Sequence, residues 1–166
     1  MASTAKTLTF VIPAYNMESY LDRCVNSLLS ASDISDLEVL IVDDGSKDGT
    51  LEYARKLERT NPGVVRAIHQ ENKGHGGAVN TGIEAATGKY VKVVDADDWV
   101  DPQAIDTVLA TLRAQHDTDE PIDMLVTNYV YDKVAKRHKT VVNFRRVMEA
   151  GRVLGWDDLG KFGLAQ

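Results

Sequence analysis

Three carboxylates follow a short apolar run in the sequence VVDADDWVDP, residues 93–102. Asp95 and Asp97 are two residues apart, so on an extended backbone both side chains leave the same face. Carboxylates are the ligands that Mg²⁺ and Mn²⁺ prefer, and Mg²⁺ is commonly held by one or two of them together with substrate phosphates. Because like charges this close repel one another, the sequence predicts a divalent cation here that carries a diphosphate. The alternative is that Asp98 and Asp101 merely cap the following helix.

A second acidic pair, Asp43 and Asp44, opens the sequence DDGSKDGT after another apolar run. Asp, Gly and Ser are turn residues, so the pair alone indicates a turn. Its position at a strand end, opposite the first acidic cluster, favours a site where a carboxylate accepts a hydrogen bond from a base N–H. The sequence ENKGHGG, residues 71–77, predicts a glycine-rich turn whose backbone N–H groups, with Lys73, bind an anion. We interpret His75 as a loop residue rather than a catalyst.

Hydrophobic periodicity places these motifs at strand ends. Apolar runs alternate with helical patterns over the first 115 residues. This alternation predicts an α/β fold with a mostly parallel sheet and helices on both faces. The predicted strands cover residues 8–12, 37–42, 64–68 and 90–94, and Gly88 is predicted to close the third helix. With the strand order 3-2-1-4, four loops converge on one crevice at the carboxyl ends of the strands.

The remainder of the chain is predicted to form a separate region. A polar linker, residues 117–121, precedes a fifth strand over Met124–Tyr131. Residues 139–144 are predicted to pair with that strand as a C-terminal hairpin. We therefore divide the chain into a βαβ domain over residues 1–116 and a second region over residues 117–166.

Composition limits the class of protein. The 166 residues carry a net charge of −6, with 43% hydrophobic and 27% charged residues, which is typical of a soluble globular protein. Apolar runs stay well short of the roughly 20 residues that cross a bilayer. The lone cysteine, Cys24, excludes an internal disulfide and favours a reducing compartment. One Cys and four scattered His argue against a zinc site. We expect a cytoplasmic protein.

Charge is distributed unevenly along the chain. Residues 133–166 hold 8 Lys or Arg against 3 Asp or Glu, whereas residues 1–132 hold 11 against 22. A basic edge strand that resists aggregation is one interpretation. The other is an anionic partner, either a phosphate-bearing acceptor or lipid headgroups that bind the basic segment 133–152 at the inner face of the membrane. The sequence leaves both open.

Four motifs in series resemble a known family. The sequences PAYN (13–16), VDDGSKDGT (42–50), ENKG…AVNTGI (71–83) and GKYVKVVDADDWV (88–100) are similar, in order and spacing, to those of the family 2 nucleotide-diphospho-sugar glycosyltransferases. The resemblance covers about residues 7 to 115 and implies the Rossmann-like GT-A fold. It also implies inverting, metal-dependent transfer of a sugar from a nucleotide-diphosphate sugar, most often UDP-linked, to an acceptor hydroxyl. Nucleic acid is not an implied partner.

The resemblance further implies roles for single residues. Those implied to bind the donor are Pro13, Ala14, Tyr15, Asn16, Asp44, Lys73, Gly74, Asp95, Ala96 and Asp97. Asp44 would hydrogen-bond the base, most often uracil. In the family's DxD motif, Asp97 is the metal ligand that we favour, and Asp95 assists it. Asp98 is the alternative ligand. A Mn²⁺ or Mg²⁺ ion there would stabilise the leaving diphosphate as a Lewis acid.

The chain departs from the family pattern in two places. Val79 stands where many members have arginine in the third motif. Lys73 is therefore our candidate for any donor contact that this arginine makes in those members. Members of the family have an Asp or Glu general base in the acceptor-binding region. The resemblance therefore implies a general base beyond Gln166. We therefore predict a donor-binding domain over residues 1–116 and the start of an acceptor-side region over residues 117–166. This chain is expected to bind donor but to transfer sugar poorly or not at all.

Other function classes make different demands on the sequence. Nucleotidyltransferases on a similar fold carry a glycine-rich, basic signature after the first strand, which PAYNMES does not match. A phospho-acceptor receiver domain has its acidic pair after the first strand, whereas these clusters follow the second and fourth. A nucleotide-sugar-binding module without activity of its own remains open. A saccharide or lipid-linked acceptor in cell-surface polysaccharide or glycolipid synthesis is an expectation from the family alone.

Overall fold

The computed structural model describes residues 6–116, 118–132, 139–146, 148–155 and 158. The chain divides into two compact units, Met1–Thr118 and Asp119–Gln166. Assignment of donor and acceptor roles to these two parts of the chain stays a prediction. The basic segment 133–152 lies partly outside the described residues. None of the helices formed by the described residues has both the length and the apolar character that a membrane span requires.

The first unit is a parallel sheet flanked by helices. Its elements in chain order are β1 (Lys6–Ala14), α1 (Glu18–Leu28), β2 (Leu37–Asp44), α2 (Thr50–Thr60), β3 (Val65–Gln70), α3 (Gly74–Ala85), β4 (Gly88–Val93) and α4 (Pro102–Arg113). The strands pair in parallel in the order β3-β2-β1-β4. The predicted α/β fold class and the strand order 3-2-1-4 are confirmed.

Apolar side chains on both faces of the sheet build the core. Val11, Leu40 and Val42 are fully buried on one face, where they pack with Ala78 of α3. Because side chains alternate along a strand, the residues between them face the other way. Those residues, also buried, are Phe10, Ile12, Val39 and Ile41. Helices α1, α2 and α4 form a second layer, in which α1 contacts both α2 and α4. This layer covers the opposite face of the sheet, as expected for strands this apolar.

The predicted glycine-rich turn proves to be partly helical. Helix α3 begins at Gly74 and has its C-cap at Ala86, so the predictions of a turn through residue 77 and of a helix end at Gly88 are wrong. Gly88 instead begins β4, where an added Cβ would lie 2.6 Å from the backbone nitrogen of Thr9. Glycine fits there because β4 approaches β1 closely, which periodicity does not reveal.

Asp101 caps the N-terminus of α4. Its Oδ1 accepts a hydrogen bond from the N–H of Gln103 at 2.8 Å, and Pro102 occupies the first turn. Asp98 takes a different part, because its backbone N–H donates to the carbonyl of Asp95 at 2.9 Å and closes a turn ahead of the helix. The helix-capping alternative therefore holds for Asp101 and is wrong for Asp98.

The second unit contains a two-stranded antiparallel hairpin. Strand β5 (Tyr129–Tyr131) pairs with β6 (Thr140–Val142), and a 3-10 turn follows at Phe144–Arg146. The predicted hairpin is confirmed, but its first strand is shorter than Met124–Tyr131, because residues 124–128 adopt no regular structure. All three side chains of β5 are exposed. A strand without a buried face gains little from extension.

An ion pair fastens the C-terminal end of α4 to the segment before β2. Arg113 donates from Nε and Nη2 to the two carboxylate oxygens of Asp36, at 3.0 and 2.5 Å. The hydroxyl of Thr7 also donates to Asp36. The hydrogen bonds from Arg113 are the main cause of a lowered pKa of about 2 for Asp36, and they outweigh burial, which acts in the opposite direction.

We expect Asp36→Asn to flatten the acid side of the stability profile. A carboxyl whose pKa is lowered by folding stabilises the fold above its ordinary value of 3.8, and this contribution is lost as the pH falls to about 2. The contribution amounts to about 2 kcal/mol of unfolding free energy. Denaturant unfolding across this acid range measures it, with Glu52→Gln as a control on an exposed carboxylate of α2. An unchanged pH dependence in Asp36→Asn would contradict this expectation.

Candidate functional site

The carboxyl ends of β1 and β2 and the start of α3 enclose a cavity of about 420 Å³. Its lining residues are Pro13, Ala14, Tyr15, Met17, Asp44, Asn72, Gly74, His75 and Ala78. The wall is mostly apolar with a few convergent polar groups, which is typical of a small-molecule site. Its place beyond the carboxyl ends of the strands is where open parallel sheets bind ligands.

Asp44, the last residue of β2, is only 2% exposed. Its Oδ1 accepts hydrogen bonds from Nε2 of Gln70 at 2.6 Å and from the backbone N–H of Lys73 at 2.8 Å. Burial alone would raise the pKa of Asp44. These hydrogen bonds, another from the Gly74 backbone and the charge of Lys73 outweigh burial, so the pKa is lowered. Asp44 therefore presents an ionised and oriented acceptor to the cavity.

Asn16 joins the loop after β1 to the loop after β2. Its φ of 55° lies in the left-handed region, where Asn is enriched among residues other than glycine. Its Oδ1 accepts from the N–H of Lys47 at 2.9 Å, and its own N–H donates to Oγ of Ser46 at 3.0 Å. Asp43 is fully buried, and its carboxylate lies 2.7 Å from Nδ1 of His69. Asn16 and Asp43 thus support the loops rather than line the cavity.

Residues 95–100, which follow β4, form an exposed turn with three acidic side chains, which we call the acidic turn. The N–H of Val94 still donates to the β1 backbone at 3.0 Å, which holds the chain beside β1 up to that point. Asp95, Asp97 and Asp98 are exposed, whereas Ala96 is buried. Burial, and then the carboxylates of Asp97 and Asp95, raise the pKa of Asp98. Crowded negative charge of this kind is relieved by a cation.

His75 connects the cavity to the acidic turn. It lies in the first turn of α3 and lines the cavity, and its Nε2 is 3.0 Å from Oδ1 of Asp95. The prediction that His75 is a loop residue is therefore wrong. The N–H groups of the first turn of α3 have no acceptor within the helix, so its N-terminus adds partial positive charge at the cavity wall beside Gly74.

The acidic turn fits a hard cation that is completed by ligand oxygens. Across the described residues, no group of three or more His, Cys, Asp or Glu side chains could hold a metal ion alone. Asp95 and Asp97 are nevertheless exposed carboxylates, the donors that Mg²⁺ and Mn²⁺ take alongside phosphate oxygens. Beneath them, Sγ of Cys24 lies 3.7 Å from the carbonyl of Asp95. Burial and then the nearby carboxylates raise the pKa of Cys24 to about 12, so this thiol stays protonated.

The structure gathers about half of the predicted donor-binding residues at the cavity. Those in its lining are Pro13, Ala14, Tyr15, Asp44 and Gly74. Those outside the lining are Asn16, Lys73, Asp95, Ala96 and Asp97. The cavity also uses Met17, Asn72, His75 and Ala78, which were not predicted. Reading GHGGA as the start of a helix would have indicated that Ala78 shares a helix face with Gly74 and with His75, since positions three or four residues apart are neighbours on a helix.

Comparison with known proteins identifies the family. The sequence profile described as "Glycosyl transferase family 2" matches residues 9–149. The chain belongs to glycosyl transferase family 2. This family 2 chain is 42% identical over 106 residues to a chondroitin synthase of Escherichia coli, and 40% identical over 119 residues to the uncharacterized glycosyltransferase YibD of E. coli strain K12. The matched regions are 64% and 72% of this chain but 15% and 34% of the relatives, so it spans about a third of their length or less.

Two solved structures share the fold of this family 2 chain. S. aureus TarS in complex with UDP-GlcNAc matches with a TM-score of 0.59 at 28% identity, over 66% of this chain and 32% of that protein. The mannosyltransferase PcManGT of Pyrobaculum calidifontis, in complex with GDP-Man and Mn²⁺, matches with a TM-score of 0.58 at 27% identity, over 69% of this chain and 34% of that protein. The GT-A resemblance drawn from the motifs is confirmed.

Proposed function

We propose that the whole protein transfers a sugar from a UDP-linked donor to the hydroxyl of a saccharide or lipid-linked acceptor, in the synthesis of cell-surface polysaccharide or glycolipid. The first unit would bind the donor. The proposal depends chiefly on one arrangement: the cavity has the Asp44 carboxylate in its wall and, through His75, borders the acidic turn. Family membership supplies the reaction class, and the nucleotide sugars bound by TarS and PcManGT support the donor class.

The nucleoside would lie against the residues at the end of β1. Pro13 and Ala14 offer an apolar wall, and Tyr15, 41% exposed, offers a ring face for stacking. Asp44 would accept a hydrogen bond from a base N–H, since its lowered pKa keeps it ionised. Uracil is the base we favour. The hydrogen bonds from Gln70 and Lys73 hold the carboxylate in place before the nucleotide arrives.

The diphosphate would lie between the start of α3 and the acidic turn. First-turn N–H groups of α3 and the exposed Lys73 at its N-cap position would neutralise phosphate oxygens. Asp97, with Asp95 as helper and Asp98 as rival ligand, would hold Mn²⁺ or Mg²⁺. The ion, when bound, would supply Lewis-acid stabilisation of the negative charge that grows on the leaving diphosphate.

The transfer would invert the anomeric carbon. The acceptor hydroxyl oxygen forms the new bond to that carbon from the face opposite the diphosphate, and a carboxylate base accepts the hydroxyl proton. The bond from the anomeric carbon to the diphosphate breaks, and its electron pair leaves with the diphosphate. The described residues act on this leaving side of the reaction, and we assign none of them to the base.

Calorimetric titration of the chain with UDP and GDP, each with and without Mn²⁺, tests the proposal. We expect UDP to bind more tightly than GDP, and Mn²⁺ to raise the affinity for UDP by at least about 10-fold, which corresponds to about 1.4 kcal/mol of binding free energy. Uridine, which lacks the diphosphate, is the control, and its binding should not depend on Mn²⁺. Lack of binding by both nucleotides, or UDP binding that ignores Mn²⁺, would contradict the proposal.

A further inference from the structure

One face of α1 holds the acidic turn from outside the cavity. The guanidinium carbon of Arg23 lies 3.2 Å from the centre of the Trp99 ring. This distance is well within the range of a cation–π stack. Trp99 directly follows Asp97 and Asp98 in the chain and is 37% exposed, so the stack covers a ring that would otherwise face water.

Two hydrogen bonds from α1 reach the backbone on either side of this stack. Oγ of Ser27 accepts from the N–H of Val100 at 3.0 Å, while its own hydroxyl donates to the carbonyl of Cys24 at 2.7 Å. The thiol of the buried Cys24 donates to the carbonyl of Asp95 at 3.7 Å. The same carbonyl accepts the N–H of Asp98. Helix α1 therefore contacts both ends of the turn and the side chain between them.

The turn has firm anchors at its two ends. Val94 is hydrogen-bonded to β1, and Asp101 caps α4. Between these anchors, residues 95–100 carry three carboxylates that repel one another. Conformations in which the carboxylates spread apart are favoured unless other contacts hold the backbone. The contacts from α1 supply such a restraint.

We propose that Arg23, Cys24 and Ser27 are positioning residues that fix residues 95–100 in the conformation that binds the cation and diphosphate. We call these three side chains the α1 brace. The proposal rests on the proposed function, since the brace acts through the acids assigned to the metal. By holding the turn before ligand arrives, the brace lowers the conformational entropy that binding must remove. Groups that orient metal ligands typically change metal affinity by about 10- to 100-fold when they are lost.

The test measures the Mn²⁺ enhancement, defined as the ratio of UDP affinity with Mn²⁺ to UDP affinity without it. We expect Arg23→Met and Ser27→Ala each to lower this ratio about 10-fold while affinity for UDP without Mn²⁺ is unchanged. Ser27→Thr keeps the hydroxyl acceptor, so this variant should have the same Mn²⁺ enhancement as the unaltered chain. Arg55→Met, an exposed change on α2, is the charge-matched control. A purely structural role would lower both affinities together, so a wild-type ratio in Arg23→Met and Ser27→Ala overturns the proposal.

Hydrogen–deuterium exchange separates failure of the brace from failure of the proposed function. If the unaltered chain shows no Mn²⁺-dependent binding, the proposed function fails, and exchange still judges the brace. Ser27→Ala and Arg23→Met should speed exchange in residues 95–100, including the Val100 amide, and leave β1 and β2 as slow as in the unaltered chain. Equal exchange of residues 95–100 in both variants and in Arg55→Met overturns the brace. Thermal unfolding of each variant verifies that it is folded.

Discussion

Asp44→Asn is expected to lower the affinity of the chain for UDP by about 10- to 100-fold, with and without Mn²⁺. A hydrogen bond to a charged group contributes about 1.5–3 kcal/mol, and each 1.4 kcal/mol is a tenfold change in affinity. The amide has the size of the carboxylate and can still accept from Gln70 and Lys73 through its oxygen. It replaces the other carboxylate oxygen with an NH₂ group, which cannot accept from a base N–H. Calorimetry with UDP measures the loss.

Asp97→Asn is the matched comparison, because it changes a carboxylate on the other side of the proposed site. This variant should bind UDP without Mn²⁺ as the unaltered chain does, and should lose the gain in affinity that Mn²⁺ provides. The two variants thus distinguish the binding of the base, assigned to Asp44, from the metal-dependent binding of the diphosphate, assigned to Asp97. If Asp44→Asn binds UDP normally, or if Asp97→Asn retains the full Mn²⁺ effect, the roles assigned to these residues are wrong.

Gly82→Ala is expected to destabilise the first unit by roughly 2 kcal/mol, the scale of overpacking in a well-packed core. A Cβ on Gly82 would lie 2.1 Å from Cγ1 of Val11. Val11 is fully buried at the centre of β1 and, as a β-branched residue, has little freedom to change rotamer. Relief therefore requires α3 to move off the sheet. Thermal or denaturant unfolding measures the effect, and a melting temperature lower by on the order of 10 °C is expected.

Gly76→Ala, the same change in the same helix, is the control. A Cβ at Gly76 meets nothing within 4 Å, so the variant should gain up to about 1 kcal/mol from the greater helix propensity of alanine. Val11→Ala opens space for the new methyl group, so in the double variant Gly82→Ala should cost less than in the unaltered chain. Equal stability of Gly82→Ala and Gly76→Ala would show that α3 does not pack on β1 as described.

The sheet could be predicted from sequence because its signals are local. The apolar runs of β1 and β2 are continuous, and their polar ends fall where parallel strands place ligands. The start of α3 could not be predicted in the same way, since glycine has low helix propensity and Gly74, Gly76 and Gly77 indicate a turn. Docking of that first turn beside Asp44 overrides the propensity. The prediction of a helix end at Gly88 is wrong for a related reason, because the close approach of Gly88 to Thr9 is a contact between distant parts of the chain.

The sequence predicts the chemical character of the candidate site better than it predicts which residues line it. Asp44 and Gly74 line the cavity, as their positions at strand and loop ends suggested. The link from His75 to Asp95 spans 20 residues and depends on the packing of α3 on β1 and β2 and on the pairing of β4 with β1. The contact of Arg23 with Trp99 spans two elements that are remote in sequence. Such pairs follow from three-dimensional packing, which a single sequence does not encode in its local pattern.

A crystal structure of the chain with UDP and Mn²⁺ tests most directly whether carboxylates from two strand ends act on one nucleotide. We predict that the uracil ring donates its N–H to Asp44, and that one Mn²⁺ ion is bound jointly by Asp97 and the diphosphate. A nucleotide bound elsewhere, or one that contacts Asp44 while the ion and Asp97 remain apart from its phosphates, would contradict the account.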